Sequence, residues 1–342
     1  MSNAQLSLRG TVTVVDLETP HKGGRATSAF VTALAGLVVA VAPSSPAGAQ
    51  VRGDGLAPPG RLVDLGGYHL HLNCTGRRDA NGPTVVLSIG GGGFAVDWSS
   101  VQAPLSELAR VCSYDRPGFG WSDAGPTPRT FAQEAFELRS ALEAAGERAP
   151  FILVGQSLGG WVVRRFAEAH PADVSGVVLV EPGNENGYLG YRNQWVIPRT
   201  LASARPVPPV RRLVESPPVP STSTDRSACV RRSDRSVHLF RCYVPQDDYL
   251  AEELAAFYGA WARISHPLGE IPLVVITGTK PRVPPPGLSE AQLRADSLRL
   301  DLTKLSSRGR EVRDPLSGHH VQRDNPALIV DVVRGMMPAG RE

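Results

Sequence analysis

Residues 153–161 read Leu-Val-Gly-Gln-Ser-Leu-Gly-Gly-Trp and set Ser157 between Gly155 and Gly159 in a G-x-S-x-G arrangement. A serine hydroxyl held on such a turn can attack a carbonyl carbon and carry the acyl group until water releases it. That chemistry needs a neighbouring base to take the proton and an acid to orient the base. In a chain with 35 glycines the pentapeptide alone is a weak signal, so its flanks decide. The required context is a strand, a sharp turn and then a helix. Phe151–Val154 is a short continuous apolar run, as in the buried centre of a parallel sheet. Beyond the serine, Leu158, Trp161, Val162, Phe166 and Ala169 recur at helical spacing, and Pro171 closes the pattern. The flanking glycines permit the tight backbone contact that lifts a hydroxyl above a sheet edge.

Other residue types capable of chemistry are sparser. His69 and His71 share one face of a strand, and an H-x-H pair can ligate metal; with no further ligands nearby they read as strand packing. Cys74, Cys112, Cys229 and Cys242 form an even set without a C-x-x-C pair, which argues against zinc and for disulfides, buried free thiols being the competing reading. Three pairings are open at this point. No metal and no cofactor are expected. The formal net charge of +3, with both signs interspersed, argues against nucleic acid as a partner. The arginine-rich run Arg226–Arg241 reads as a solvated surface.

Residues 28–49 resemble an export signal. Arg25 precedes an apolar core of about fifteen residues, short for a bilayer span, and Ala47-Gly48-Ala49 offers a small-x-small cleavage site. Met1–Gly24 is long for the segment ahead of such a core, so either translation starts later or the leader is extended; a retained anchor is the competing reading. Residues 1–49 are therefore set apart from the fold. The mature chain is expected to be secreted, without stable membrane insertion.

The elements that must position the serine follow from Arg61. "RLVDLGG" and "YHLHLNC" read as two short strands around a Gly-Gly turn, and "PTVVLSIGGGG" as a buried strand entering four glycines. "WSSVQAPLSELA" is helical, "RVCSYDRPGFGWSD" a strand and loop, and "TFAQEAFELRSALEAAG" an amphipathic helix stopped by Gly146. After the serine helix come the strand "VSGVVLVEPG", the strand "IPLVVITG", the helix "LRADSLRLDLTKLSS", the strand and loop "REVRDPLSGHH" and the helix "NPALIVDVVRGMM". Alternating strands and helices predict an α/β fold with a mainly parallel sheet covered on both faces. Residues 183–269 break the alternation. Their aromatics, Trp195, Phe240, Tyr249, Phe257 and Trp261, suit a cap inserted over the sheet's carboxyl edge. The core then comprises residues 50–182 and 270–342.

Taken together, "VVLSIGGGG", "YDRPGFGWS", "VGQSLGGW", "LVEP" and "SGHHVQRDNP" resemble the α/β-hydrolase family over about residues 61–337. The resemblance implies a histidine base in the loop after the last strand, seven residues ahead of the proline that opens the last helix. Pro326 then indicates His319, with adjacent His320 as the alternative. It implies an acid that most members carry after the seventh strand, where this chain has Lys280 and prolines. Some relatives place the acid after the sixth strand, which indicates Glu181; Glu185 and the more distant Asp296 stay open. It implies oxyanion donors at the Leu158 amide and in the glycine run, at Gly91 or alternatively Gly92. Since the family's second and fourth strands are neighbours, it also implies the pair Cys74–Cys112; Cys229 and Cys242 are then expected to pair with each other, lying close in sequence within the cap with a short loop between them. Asp115, Arg116 and Gly118 would fix the turn after the fourth strand, and Trp98 and Trp161 would serve packing.

The expected activity is hydrolysis of small-molecule carboxylic esters through an acyl-enzyme. Peptidase, lactonase, thioesterase and peroxidase activities are alternatives on the same groups. Dehalogenase and epoxide-hydrolase chemistry use an aspartate nucleophile, whereas position 157 is serine. A non-catalytic binding protein and a surface-anchored adhesion module are the readings from other classes. Oligomeric state is not legible in these residues.

Overall fold

Short runs of Val, Leu and Ile bounded by Gly, Pro and Asp become strands because branched side chains pack well on a pleated surface. The computed structural model describes residues 58–79, 82–126, 129–184, 189–191, 194–196, 229–234, 237–242, 266–280 and 301–338. Its central sheet holds β1 (Arg61–Asp64), β2 (His69–Thr75), β3 (Thr84–Ser88), β4 (Arg110–Tyr114), β5 (Phe151–Gln156), β6 (Val174–Val180), β7 (Leu273–Gly278) and β8 (Gly309–Asp314). The strand order is β1-β2-β4-β3-β5-β6-β7-β8. β2 runs antiparallel to β1 and β4, and every later neighbour pair is parallel.

The inner parallel strands are largely apolar on both faces, unlike the charged edge strand β8, and the period of two divides their side chains between two cores. Val86, Leu153, Val177 and Leu179 face one side, where α2 (Phe131–Ala144) and α3 (Gly159–Ala169) bring Leu138, Ala141, Val163 and Phe166. Val85, Leu87, Ile152, Val154 and Val178 face the other, against Val101 and Leu105 of α1 (Ser99–Ser106). The last helix, α5 (Pro326–Arg334), adds Ile329 and Val333 there, just after the short α4 (Val321–Asp324). Thr130 caps α2 by accepting the Gln133 amide at 3.0 Å, and Gly146 follows its C-terminus at φ +74°.

Cys74 and Cys112 are register partners on β2 and β4 and are joined by a disulfide. The backbone of Cys229–Asp234 pairs antiparallel with Val237–Cys242, which makes Cys229 and Cys242 register partners; their side chains lie outside those described. A second small ribbon pairs Leu189–Tyr191 with Gln194–Val196. Apart from residues 183–184 and 266–269 at its two ends, the rest of the expected cap lies outside the described residues, as does the leader with its apolar core. So does the Arg226–Arg241 surface, apart from ribbon backbone.

One expectation needs correction. The helix read across residues 293–307 does not continue through its end: Leu302–Leu305 is a single 3-10 turn, capped where the Asp301 side chain accepts the Thr303 amide at 3.2 Å. A short polar side chain there offers the backbone a turn in place of a continuing helix. Residues 281–300 lie outside the described residues. Among those described, no helix is long and apolar enough to cross a membrane.

Candidate active site

β5 ends at Gln156, and the next residue, Ser157, sits at φ +51° between strand and helix. A non-glycine residue in this left-handed region is strained by about 1–3 kcal/mol and persists only where its surroundings hold it. Here the Ser157 amide donates to the Val180 carbonyl at 3.0 Å, and the Ser157 carbonyl accepts from Gly160 and Gly183 at 3.0 and 3.1 Å. The turn closes this tightly only with glycines around it: a Cβ on Gly159 would lie 2.2 Å from the Ser88 oxygen, and one on Gly155 2.6 Å from the Gly159 oxygen. Ser157 is only half-buried at this edge of the sheet.

The loop after β8 brings His319 to that hydroxyl, with Nε2 at 3.0 Å from Ser157 Oγ. His319 Nδ1 lies 3.5 Å from Oε2 of Glu181, which directly follows β6. Glu181 is itself at φ +45°, held by its amide's 2.8 Å bond to the Ile276 carbonyl. Its other oxygen, Oε1, accepts the Gly278 amide at 2.6 Å, and its side chain is 2 % exposed. The last residue of β7 thus serves the carboxylate with backbone. It has no room to carry one: a Cβ on Gly278 would lie 2.3 Å from the Gly318 oxygen and 2.6 Å from the Ser317 oxygen. His320 is exposed, its ring edge-on to that of His319 at a centroid distance of 5.2 Å. Glu185 and Asp296 lie outside the described residues.

The four glycines after β3 acquire a register from one turn. Gly93 donates to the Gly90 carbonyl at 3.1 Å and Gly92 has φ +74°, as the third position of a type II turn requires. The Arg116 guanidinium grips the same Gly90 carbonyl at 3.2 Å. In a trans peptide the carbonyl and the following N–H point in opposite directions. Holding the Gly90 oxygen from behind therefore aims the Gly91 amide the other way. Gly91 is exposed and packs beside Leu158, and among the described residues neither amide donates to another protein atom. The Leu158 amide adds the positive end of α3.

Arg116 therefore does more than the turn-fixing expected of it. Its buried guanidinium also lies 3.7 Å from Glu134, and Arg129 lies 3.9 Å from the same carboxylate. Arg129 makes two bonds, of 2.7 and 2.6 Å, to the buried Glu137, which also accepts the Tyr68 hydroxyl at 3.0 Å. Burial, with Glu137 alongside, pushes the Tyr68 phenol far above its ordinary range. The turn is fixed mainly by Asp115, which accepts the Ala95 amide at 2.7 Å and the Trp121 amide at 3.1 Å. Asp115 also bonds His71 Nδ1 at 2.8 Å, while His69 Nδ1 meets Asp123 at 2.9 Å. Each histidine of the H-x-H pair thus has its own carboxylate. Trp98 and Trp161 are buried in the two cores.

Sequence reasoning passed over Gln156. Its side chain links Gly90 to His319, and the available signal was a polar residue closing an otherwise apolar strand.

This arrangement can hold a hydroxyl, a base and an acid in line. The chain is similar to several known proteins. It is 33% identical over 132 residues to "Probable transporter efuK" of Hormonema carpetanum, across 37% of this chain and 19% of that protein. It is 43% identical over 109 residues to "Putative carbamate hydrolase RutD" of Klebsiella pneumoniae, across 31% of this chain and 38% of that one. The matched stretch thus spans well under half the length of these curated relatives. An "Alpha/beta hydrolase fold protein from Chitinophaga pinensis" superposes with a TM-score of 0.51 at 14% identity, covering 81% of this chain and 96% of that one. The family model for the alpha/beta hydrolase fold matches residues 83–326, which contain every residue of the site. The chain belongs to the α/β-hydrolase fold family.

Proposed function

We propose that this protein is a serine hydrolase that cleaves carboxylic esters through an acyl-enzyme. The observation that carries the reading is the 3.0 Å approach of His319 Nε2 to Ser157 Oγ, with Glu181 behind the ring at 3.5 Å.

Ser157 Oγ attacks the carbonyl carbon while His319 Nε2 takes its proton, and the carbonyl electron pair moves onto oxygen. The Gly91 and Leu158 amides donate to that oxyanion; removing one such donor typically costs about 3–4 kcal/mol of transition-state stabilisation. Glu181 stabilises the imidazolium and fixes the tautomer. When the tetrahedral adduct collapses, the ester C–O bond breaks and His319 returns its proton to the leaving alcohol. Water then attacks the acyl-enzyme with His319 again as base, the acid is released and Ser157 recovers its proton.

Small-molecule esters are the substrate class put forward. Carbamates, lactones, thioesters and amides present the same carbonyl and belong in the same assay; the Klebsiella relative is named a carbamate hydrolase. Export is part of the proposal, supported by the apolar segment 28–42, the Ala47–Ala49 site and the Cys74–Cys112 disulfide. A mature N-terminus near Gln50, found by sequencing the protein from the medium, would support it, and a cell-retained chain keeping residues 28–49 would reject it.

The test of the reaction is a fluorophosphonate probe with peptide mapping by mass spectrometry, beside a panel of p-nitrophenyl esters of graded chain length. Labelling at Ser157 with ester turnover is expected. A folded sample that neither labels nor turns over any member of the panel overturns the reading.

A further inference from the structure

We propose that Gln156 is a positioning residue that locks the oxyanion loop and the histidine loop to each other through the two ends of its side-chain amide. The inference rests on the serine-hydrolase reading above and concerns how its parts are kept in register.

Gln156 is the last residue of β5 and is buried. Its Oε1 accepts the Gly90 amide at 3.2 Å, and its Nε2 donates to the His319 carbonyl at 2.9 Å. The partners dictate the orientation of the amide, since a backbone N–H can only donate and a carbonyl can only accept. The side chain must therefore present an acceptor at one end and a donor at the other.

The two loops have no direct ladder between them. Gly90 follows β3, adjacent to β5, whereas His319 follows β8, three strands away at the far edge. Each loop reaches Ser157 separately, so a shift of either one relative to the other misaligns base and oxyanion donor while both remain folded. Misplacement of about 1 Å can cost on the order of a hundredfold in rate. A second tie joins the segments that follow these loops, from Arg323 of α4 to Asp97 at 2.9 Å, but its guanidinium is half-exposed and screened by water. Gln156 is the buried one of the two. Position 90 is shaped around it: a Cβ there would lie 2.4 Å from Gln156 Oε1 and 2.8 Å from the Ser157 Cβ.

The experiment compares the full chain with Gln156→Met, which keeps the length and removes both bonds, and with Gln156→Glu. For Gln156→Met, kcat on a p-nitrophenyl ester should fall about ten- to a hundredfold with KM within about twofold, and the fluorophosphonate labelling rate should fall in parallel. Gln156→Glu can bridge both loops only while its carboxyl is protonated, because the ionised form has no proton for the His319 carbonyl. Its pH–kcat profile should therefore gain an alkaline limb absent from the wild type. A merely space-filling Gln156 would produce neither result. Wild-type kcat in a folded Gln156→Met variant overturns the proposal, as does a Gln156→Glu profile superimposable on the wild type. If Gln156→Met does not fold, the Gln156→Glu profile decides. Failure of the wild-type protein itself to label would sink the parent reaction, an outcome distinct from labelling that is insensitive to position 156.

Discussion

The Gly278 amide at the end of β7 donates to Glu181 Oε1 at 2.6 Å, so the carboxylate that faces His319 comes from one strand and its anchor from the next. One oxygen is committed to the backbone and the other is directed to the imidazole. Glu181→Gln keeps the shape but removes the charge that stabilises an imidazolium. We expect kcat to drop by about 10³- to 10⁴-fold with an unchanged circular dichroism spectrum. A loss of less than tenfold would remove Glu181 from the proposed role and return attention to Glu185.

The neighbouring imidazoles should separate cleanly. His319→Ala is expected to lower ester turnover by about 10⁴-fold or more, because base and nucleophile act as a unit. His320→Ala, at an exposed position, should stay within about twofold of wild type. The reverse pattern in steady-state kinetics would place the base one residue later.

Glu147 gives a pH signature remote from the site. Burial works to raise its pKa, but hydrogen bonds from Arg110 and Arg78 outweigh that and hold the carboxyl below its ordinary 4.5. A depressed folded-state pKa means the contribution is present above about pH 4.5 and is lost as pH falls through the lower folded value. Arg78 is more than a third exposed, so the Arg110 bonds carry most of it. Glu147→Gln should lower stability at neutral pH by about 1–3 kcal/mol and flatten the acid limb. Urea midpoints measured from pH 3 to 7 check this; parallel curves for variant and wild type would refute it.

The Cys74–Cys112 bond links residues 38 apart in sequence. A closed loop of that length is worth about 4 kcal/mol through the entropy it removes from the unfolded chain. The double variant Cys74→Ala with Cys112→Ala, and the wild type under reductant, should both show a clearly lower denaturation midpoint. The labelling rate at Ser157 should hold at a temperature where both are folded. An unchanged midpoint would mean the strands alone fix this edge of the sheet.

Much of the fold was legible because the parallel strands write their burial as unbroken apolar runs, Phe151–Val154 and Val177–Val180 among them. The tight turn at Ser157 could be located because glycines at 155 and 159 record a steric need that the structure then displays. The geometry also brings His319 and Glu181 to Ser157, positions that the family resemblance had indicated. Less legible was what crosses between distant segments. Nothing in "DRPGFG" announces that Arg116 reaches back to the Gly90 carbonyl. The helical period of α2 marks a buried face without revealing that Glu134 and Glu137 lie on it, matched by arginines from outside the helix. Within residues 183–269 the closing run "DDYLAEELAAFYGAWARI" reads as helical and lies outside the described residues, while the Gly- and Pro-rich remainder gave no period from which to place elements.

Ser157 and Glu181 both occupy backbone conformations in which glycine would be at ease. A protein retained for its shape alone would drift toward relaxed residues at those two points and gain ruggedness by doing so. Keeping a hydroxyl and a carboxylate there instead is a standing mechanical handicap. Substituting Ser157 by glycine should thus yield a sturdier molecule that has forgotten its chemistry.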